Sequence, residues 1–130
     1  MNDSRKTVLV VDDDRDFVQS NRDLLEAEGY RVLAAYDGQS GLETAMKEKP
    51  DLMILDVMMA TKTEGFEISR KIPENPELKN MKVLMVTGIR KDMNLPFGFE
   101  NDETWLPVDK VLEKPIAPSH LLEEIKSRLG

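Results

Sequence analysis

Three acids in a row, Asp12, Asp13 and Asp14, follow the apolar run Val8-Leu9-Val10-Val11, and a single Asp56 follows a second run, Leu52-Met53-Ile54-Leu55. Carboxylates gathered at the end of buried runs are costly, because mutual repulsion and burial both disfavour the charged form unless a cation neutralises it. If the two runs are neighbouring parallel strands, Asp12, Asp13 and Asp56 converge at one sheet edge, and a divalent metal is the obvious cation. Two further residues extend the set. Thr87 ends a third apolar run, Val83-Leu84-Met85-Val86, and Lys114 follows a fourth, Val111-Leu112. Acids, a hydroxyl and a lysine so arranged describe phosphoryl transfer. A carboxylate is a competent nucleophile towards phosphorus once the approaching negative charges are shielded, and little other covalent work is asked of the protein.

Short apolar runs alternating with segments of helical period would hold these residues, the pattern of a parallel sheet wrapped by helices. Val8 to Val11 reads as a strand buried on both faces, leading into a helix that carries Phe17, Leu24 and Leu25 inward and ends at Gly29. Arg31 to Ala35 is a weaker strand, expected at an edge, followed by a helix with Leu42, Ala45 and Met46 on one face and closed by Pro50. Leu52 to Leu55 is again a buried strand. Phe66, Ile68 and Ile72 supply the apolar side of a third helix stopping near Pro73, and Met81 to Val86 gives the fourth strand. From Gly88 to Leu106 the rhythm breaks: Asn94, Pro96, Gly98 and Asn101 favour a loop or one short helix, whose Phe97, Phe99 and Trp105 pack down or mark a contact surface. Val108 to Leu112 makes the last strand. The closing helix starts at Pro118 with Leu121, Leu122, Ile125 and Leu129 on one side, and Glu123, Glu124, Lys126 and Arg128 on a solvated side.

Five such strands predict an α/β fold with an open, doubly wound, five-stranded parallel sheet of (βα)5, flavodoxin-like type, its fourth helix irregular or shortened. Sheets of this kind bind ligands beyond the carboxyl ends of their strands. Every candidate residue falls there. The 130 residues suffice for one domain spanning 1–130. A net charge of −7 with no basic cluster disfavours direct contact with nucleic acid or an anionic membrane. The absence of cysteine fits a reducing, cytoplasmic setting, and no run approaches the roughly 18 apolar residues of a membrane span.

Val-Val-Asp-Asp-Asp at 10–14, Ile54-Leu55-Asp56, Val86-Thr87-Gly88 and Glu113-Lys114-Pro115-Ile116 together resemble the receiver domains of two-component response regulators, in order and over nearly the whole chain. The resemblance implies that Asp56 is the phosphoacceptor, taking its group from the phosphohistidine of a sensor histidine kinase or a histidine phosphotransfer protein. It also implies that Asp13, Asp56 and the backbone carbonyl of Met58 hold Mg2+, with Asp12 helping through water. Mg2+ suits an all-oxygen site that keeps several waters. Lys114 is implied as a point charge on a phosphoryl oxygen, aimed by a Lys-Pro bond with a raised chance of being cis, and Thr87 as a switch that donates to that oxygen after reaction. Such a protein is a self-modifying signalling module rather than an enzyme, acting on a downstream protein by contact.

Departures from the family pattern bear on output. Ala60 stands where a proline is usual, Gly65 comes one position late, and Val111 occupies a position that is often aromatic. With the broken segment around Trp105, these imply an output surface other than the usual one. Met58 and Ile89 are both apolar and cannot orient an attacking water, which predicts slow self-hydrolysis of the phosphorylated aspartate. The chain ends just after the last helix: as a full product it would be a stand-alone receiver, either a phosphorelay intermediate or an adaptor, and as a fragment it would be the receiver part of a longer protein with an output domain.

Simpler readings exist for single residues. Asp14 is a natural N-cap, His120 is expected to face solvent, and the eight methionines read as flexible core filler. Two other functions compete for the whole chain. One is a phosphorylation-independent binding or dimerising module on the receiver fold. The other is a small phosphohydrolase of the haloacid dehalogenase type, although Asp16 stands where that family has a threonine and Asp56 would be left without a role.

Overall fold

The computed structural model of the chain describes residues 5–56, 68, 70–87, 110–114 and 116–129. Strands β1 (Thr7–Val11) and β3 (Leu52–Asp56) are buried along their whole length, as the apolar runs Val8 to Val11 and Leu52 to Leu55 within them favour. With β2 (Arg31–Ala35), β4 (Lys82–Thr87) and β5 (Lys110–Glu113) they form a sheet in the order β2-β1-β3-β4-β5, every pair parallel. β2 is therefore an edge strand, as expected. The chain steps from β1 outward to β2 and then back across to β3, and this reversal opens a crevice beyond the carboxyl ends of β1 and β3.

Alternating side chains along each strand divide the core into two layers. Val8, Val10, Leu52, Ile54, Leu84 and Val86 pack with Val18 and Leu25 of α1 (Arg15–Ala27) and with Leu121 and Ile125 of α3 (Pro118–Leu129). On the other face Leu9, Val11, Met53, Leu55, Val83 and Met85 pack with Ala45 of α2 (Gly38–Glu48), Ile68, Ile72 and Leu78. The sheet is thus wound on both sides. Met53, Met81 and Met85 are buried and Met46 packs beside them, so these four methionines do fill core.

Local signals fix the helix ends. The Asp14 carboxylate accepts from the backbone N–H groups of Asp16 and Phe17, so Asp14 is the cap of α1. Gly29, at φ 94°, turns the chain out of that helix, and a left-handed Lys49 ends α2 just before Pro50. Asp51 ties β3 to β1 by accepting from Thr7 N at 2.8 Å. Gly41 lets α2 lie close on the sheet: a methyl group there would stand 2.7 and 2.8 Å from the two Cγ atoms of Val11.

Several expectations need correcting. α1 buries Val18, Asn21 and Leu25, whereas Phe17 and Leu24 are half-buried on its flank, where the helix borders a groove shared with α3. β4 runs from Lys82 to Thr87, one residue later than anticipated. After the buried Ile68 the chain passes through two 3-10 turns, Ile72–Glu74 and Pro76–Leu78. Glu124 and Arg128 are only partly exposed rather than fully solvated. The Glu124 side chain is only 12% exposed, because Lys110 on β5 and Arg128 one turn along α3 both pair with it. His120 is exposed as expected and approaches the same carboxylate at 3.5 Å. Phe66, Val108 and the whole segment 88–106 with Phe97, Phe99 and Trp105 lie outside the described residues.

Candidate functional site

The strand register sets the site. Val11 pairs with Leu55, Asp56 with Val86, and Thr87 with Glu113. Asp12 follows the end of β1, Asp56 and Thr87 are the last residues of β3 and β4, and Lys114 follows the end of β5. All four therefore stand at one carboxyl edge, as the sequence predicts.

The three acids come together. One oxygen each from Asp12, Asp13 and Asp56 lies within 4.8 Å of the others. Asp12 is fully buried and Asp56 only 4% exposed, whereas Asp13 faces solvent. A buried carboxylate persists only with partners, and Asp12 has them on both oxygens. Lys114 Nζ donates to Oδ2 at 2.7 Å, and the backbone N–H of Asp14 donates to Oδ1 at 2.9 Å. The backbone of Asp12 is held too, its N–H donating to the carbonyl of Ala35 at 3.1 Å. Three hard oxygen donors so close together, one open to solvent, fit a small divalent cation that retains part of its water shell. Met58 and the Lys-Pro bond at Pro115 lie outside the described residues.

Two aromatic contacts at this edge escape sequence reasoning. The Phe17 ring centroid lies 4.1 Å from Lys114 Nζ, and the Tyr36 ring lies 4.0 Å from the Arg15 guanidinium carbon. The available signal was the placement of Phe17 in the first turn after the acids, facing the same edge as the lysine.

An open, doubly wound parallel sheet with acids and a lysine at its carboxyl edge has the flavodoxin-like architecture. The family profile of the response regulator receiver domain matches residues 8–126. The chain belongs to that family. It is 29% identical over 128 residues to the polar-differentiation response regulator DivK of Brucella anthropi, covering 96% of this chain and 97% of DivK. It is 33% identical over 124 residues to the alkaline phosphatase synthesis transcriptional regulatory protein PhoP of Bacillus subtilis, covering 95% of this chain but 48% of PhoP. Among solved structures, the chemotaxis protein CheY4 of Vibrio cholerae superimposes with a TM-score of 0.82 at 28% identity, over 96% of this chain and 99% of CheY4. Membership of this family sets the hydrolase reading aside and makes the chain a receiver of two-component signalling. Among the described residues, no helix is long and apolar enough to cross a membrane.

Proposed function

We propose that the chain is a single receiver domain over residues 1–130 in which Asp56 accepts a phosphoryl group from the phosphohistidine of a sensor histidine kinase or a histidine phosphotransfer protein. The observation that carries this reading is the meeting of Asp12, Asp13 and Asp56 within 4.8 Å, with Lys114 bonded to Asp12. An Asp56 carboxylate oxygen forms the new O–P bond as the N–P bond of the phosphohistidine breaks, and the leaving imidazole keeps the electron pair and takes a proton. Asp12, Asp13 and Asp56, with the carbonyl of Met58, would hold Mg2+, which shields the negative charges of carboxylate and phosphoryl group as they approach. Lys114 supplies a positive charge to an oxygen of the transferred group. Thr87, at the end of the strand beside Asp56, donates to another.

The modified protein then signals by contact with a downstream protein in the cytoplasm. The net charge of −7 supports a protein rather than a nucleic acid or membrane as the partner. The test is the intact mass after incubation with acetyl phosphate, with and without Mg2+, beside Asp56→Asn. A Mg2+-dependent gain of one phosphoryl group that the variant lacks is the expected result. No gain, with fold and metal binding intact, refutes it and leaves a constitutive binding module.

A further inference from the structure

Lys114 is held from two chemically different sides. Asp12 Oδ2 accepts from its ammonium at 2.7 Å, and the Phe17 ring lies 4.1 Å from Nζ. A carboxylate binds one of the three N–H groups along one direction, so that bond is strained or lost as the ammonium turns toward a new anion. An aromatic face attracts the cation through its quadrupole and does not require a particular N–H to point at it. The ring contact can therefore persist through a change of anionic partner. The Lys114 side chain is 23% exposed, so its flexible four-carbon stem has solvent to swing into unless something neutral retains it.

The Phe17 backbone is fixed for this task. Its N–H donates to the Asp14 carboxylate at 3.2 Å, and its carbonyl accepts from Asn21 Nδ2 at 2.7 Å. The ring also lines a groove of about 320 Å³ with Leu24, Ile116 and Pro118. Ile116 and Pro118 come just after Lys114 in the chain, so the segment carrying the lysine borders the same groove as the ring that faces its ammonium.

We propose that Phe17 is a positioning residue: its ring keeps the Lys114 ammonium at the acid cluster while that ammonium exchanges Asp12 for an oxygen of the group on Asp56. The exchange rests on the reading of Asp56 as phosphoacceptor; the ring contact does not.

The test compares Phe17→Leu, which keeps apolar bulk, with Phe17→Trp, which keeps a π face, each in wild-type and Lys114→Ala backgrounds. The first readout is the proton chemical shift of the Lys114 ε-methylene, independent of any phosphorylation. Ring current moves it upfield in the wild type and in Phe17→Trp, and the displacement disappears in Phe17→Leu. The second is the affinity for beryllium fluoride, a phosphoryl mimic, at saturating Mg2+. Phe17→Leu weakens it about two- to five-fold, the range expected of a partly exposed cation–π contact. Phe17→Trp restores it, Mg2+ affinity alone is unchanged, and Phe17→Leu adds nothing in the Lys114→Ala background.

An unshifted Lys114 ε-methylene in the wild type overturns the contact. Wild-type beryllium fluoride affinity in Phe17→Leu, or an equal loss in both backgrounds, overturns the exchange. A wild type that binds Mg2+ but no beryllium fluoride refutes the acceptor reading and the exchange together, and the methylene shift then decides the contact alone.

Discussion

Gly41→Ala puts a methyl group where α2 has no room for one. Its Cβ would stand 2.7 and 2.8 Å from the Cγ atoms of Val11 and 3.3 Å from its Cβ, against the roughly 3.5–4.0 Å of an ordinary carbon contact. Val11 is fully buried and, being β-branched, stiff at χ1, so it cannot rotate out of the way. Helix and strand must separate instead, and overpacking of this kind costs about 1–3 kcal/mol. Alanine returns about 1 kcal/mol through its better helix propensity and the smaller entropy of the unfolded chain. The net expectation is a loss of about 1 kcal/mol, or a fall in Tm of about 3–6 °C for a domain of this size, read by thermal unfolding in far-UV circular dichroism. Because Val11 immediately precedes Asp12, Mg2+ affinity should fall with it. In a Val11→Ala background the space is available, and the same change should cost little or stabilise, a coupling that a double-mutant cycle isolates. A rise in Tm for Gly41→Ala alone, or an equal effect in both backgrounds, refutes the steric argument.

The remaining predictions concern charge and lifetime. Lys110, by its hydrogen bond, and then Arg128 hold the Glu124 carboxyl below its ordinary value of 4.5, against the opposing effect of its burial. A depressed folded-state pKa adds stability above the unfolded value and loses it as pH falls through the folded one. Glu124→Gln should therefore be less stable than wild type by about 1 kcal/mol at neutral pH, a gap that shrinks only below about pH 4.5 and closes beneath the folded pKa, as urea unfolding across pH would show. A gap independent of pH would refute that account. With Met58 and Ile89 flanking the acceptor and Thr87 in sequence, the phosphoryl group on Asp56 should persist well beyond seconds without a phosphatase, and loss within seconds, followed by intact mass, would overturn the expectation.

The carboxyl-edge site was legible because parallel strands impose simple arithmetic. Unbroken apolar runs mark buried strands, and whatever follows them falls at a common edge, so Asp12, Asp56, Thr87 and Lys114 could be grouped without knowing any contact. Helix flanks were harder to read. The apolar stripe of α1 contains Phe17, Val18, Leu24 and Leu25, and periodicity alone does not say which pair faces the sheet; the groove beside α3 decides that Phe17 and Leu24 take the border. Glu124 read as solvated for the same reason. Its partner Lys110 comes from another element, and the fold, not the helical period, sets them together. Asp14 was legible as a cap because capping is local, a matter of the next three residues.

The bond between Lys114 and Asp12 spans 102 positions. On a ribosome, all three acids and the inner strands β1 and β3 are made long before the lysine, which arrives only behind β5, the edge strand opposite β2. An emerging chain thus passes through a stage in which Asp12 and Asp56 can be gathered without the Lys114 ammonium, and their charge is then met by cations in the surrounding water or by protonation. The lysine contact therefore waits for the end of the chain, and a nascent fragment lacking β5 has the acids of the receiver but not the lysine that pairs with Asp12.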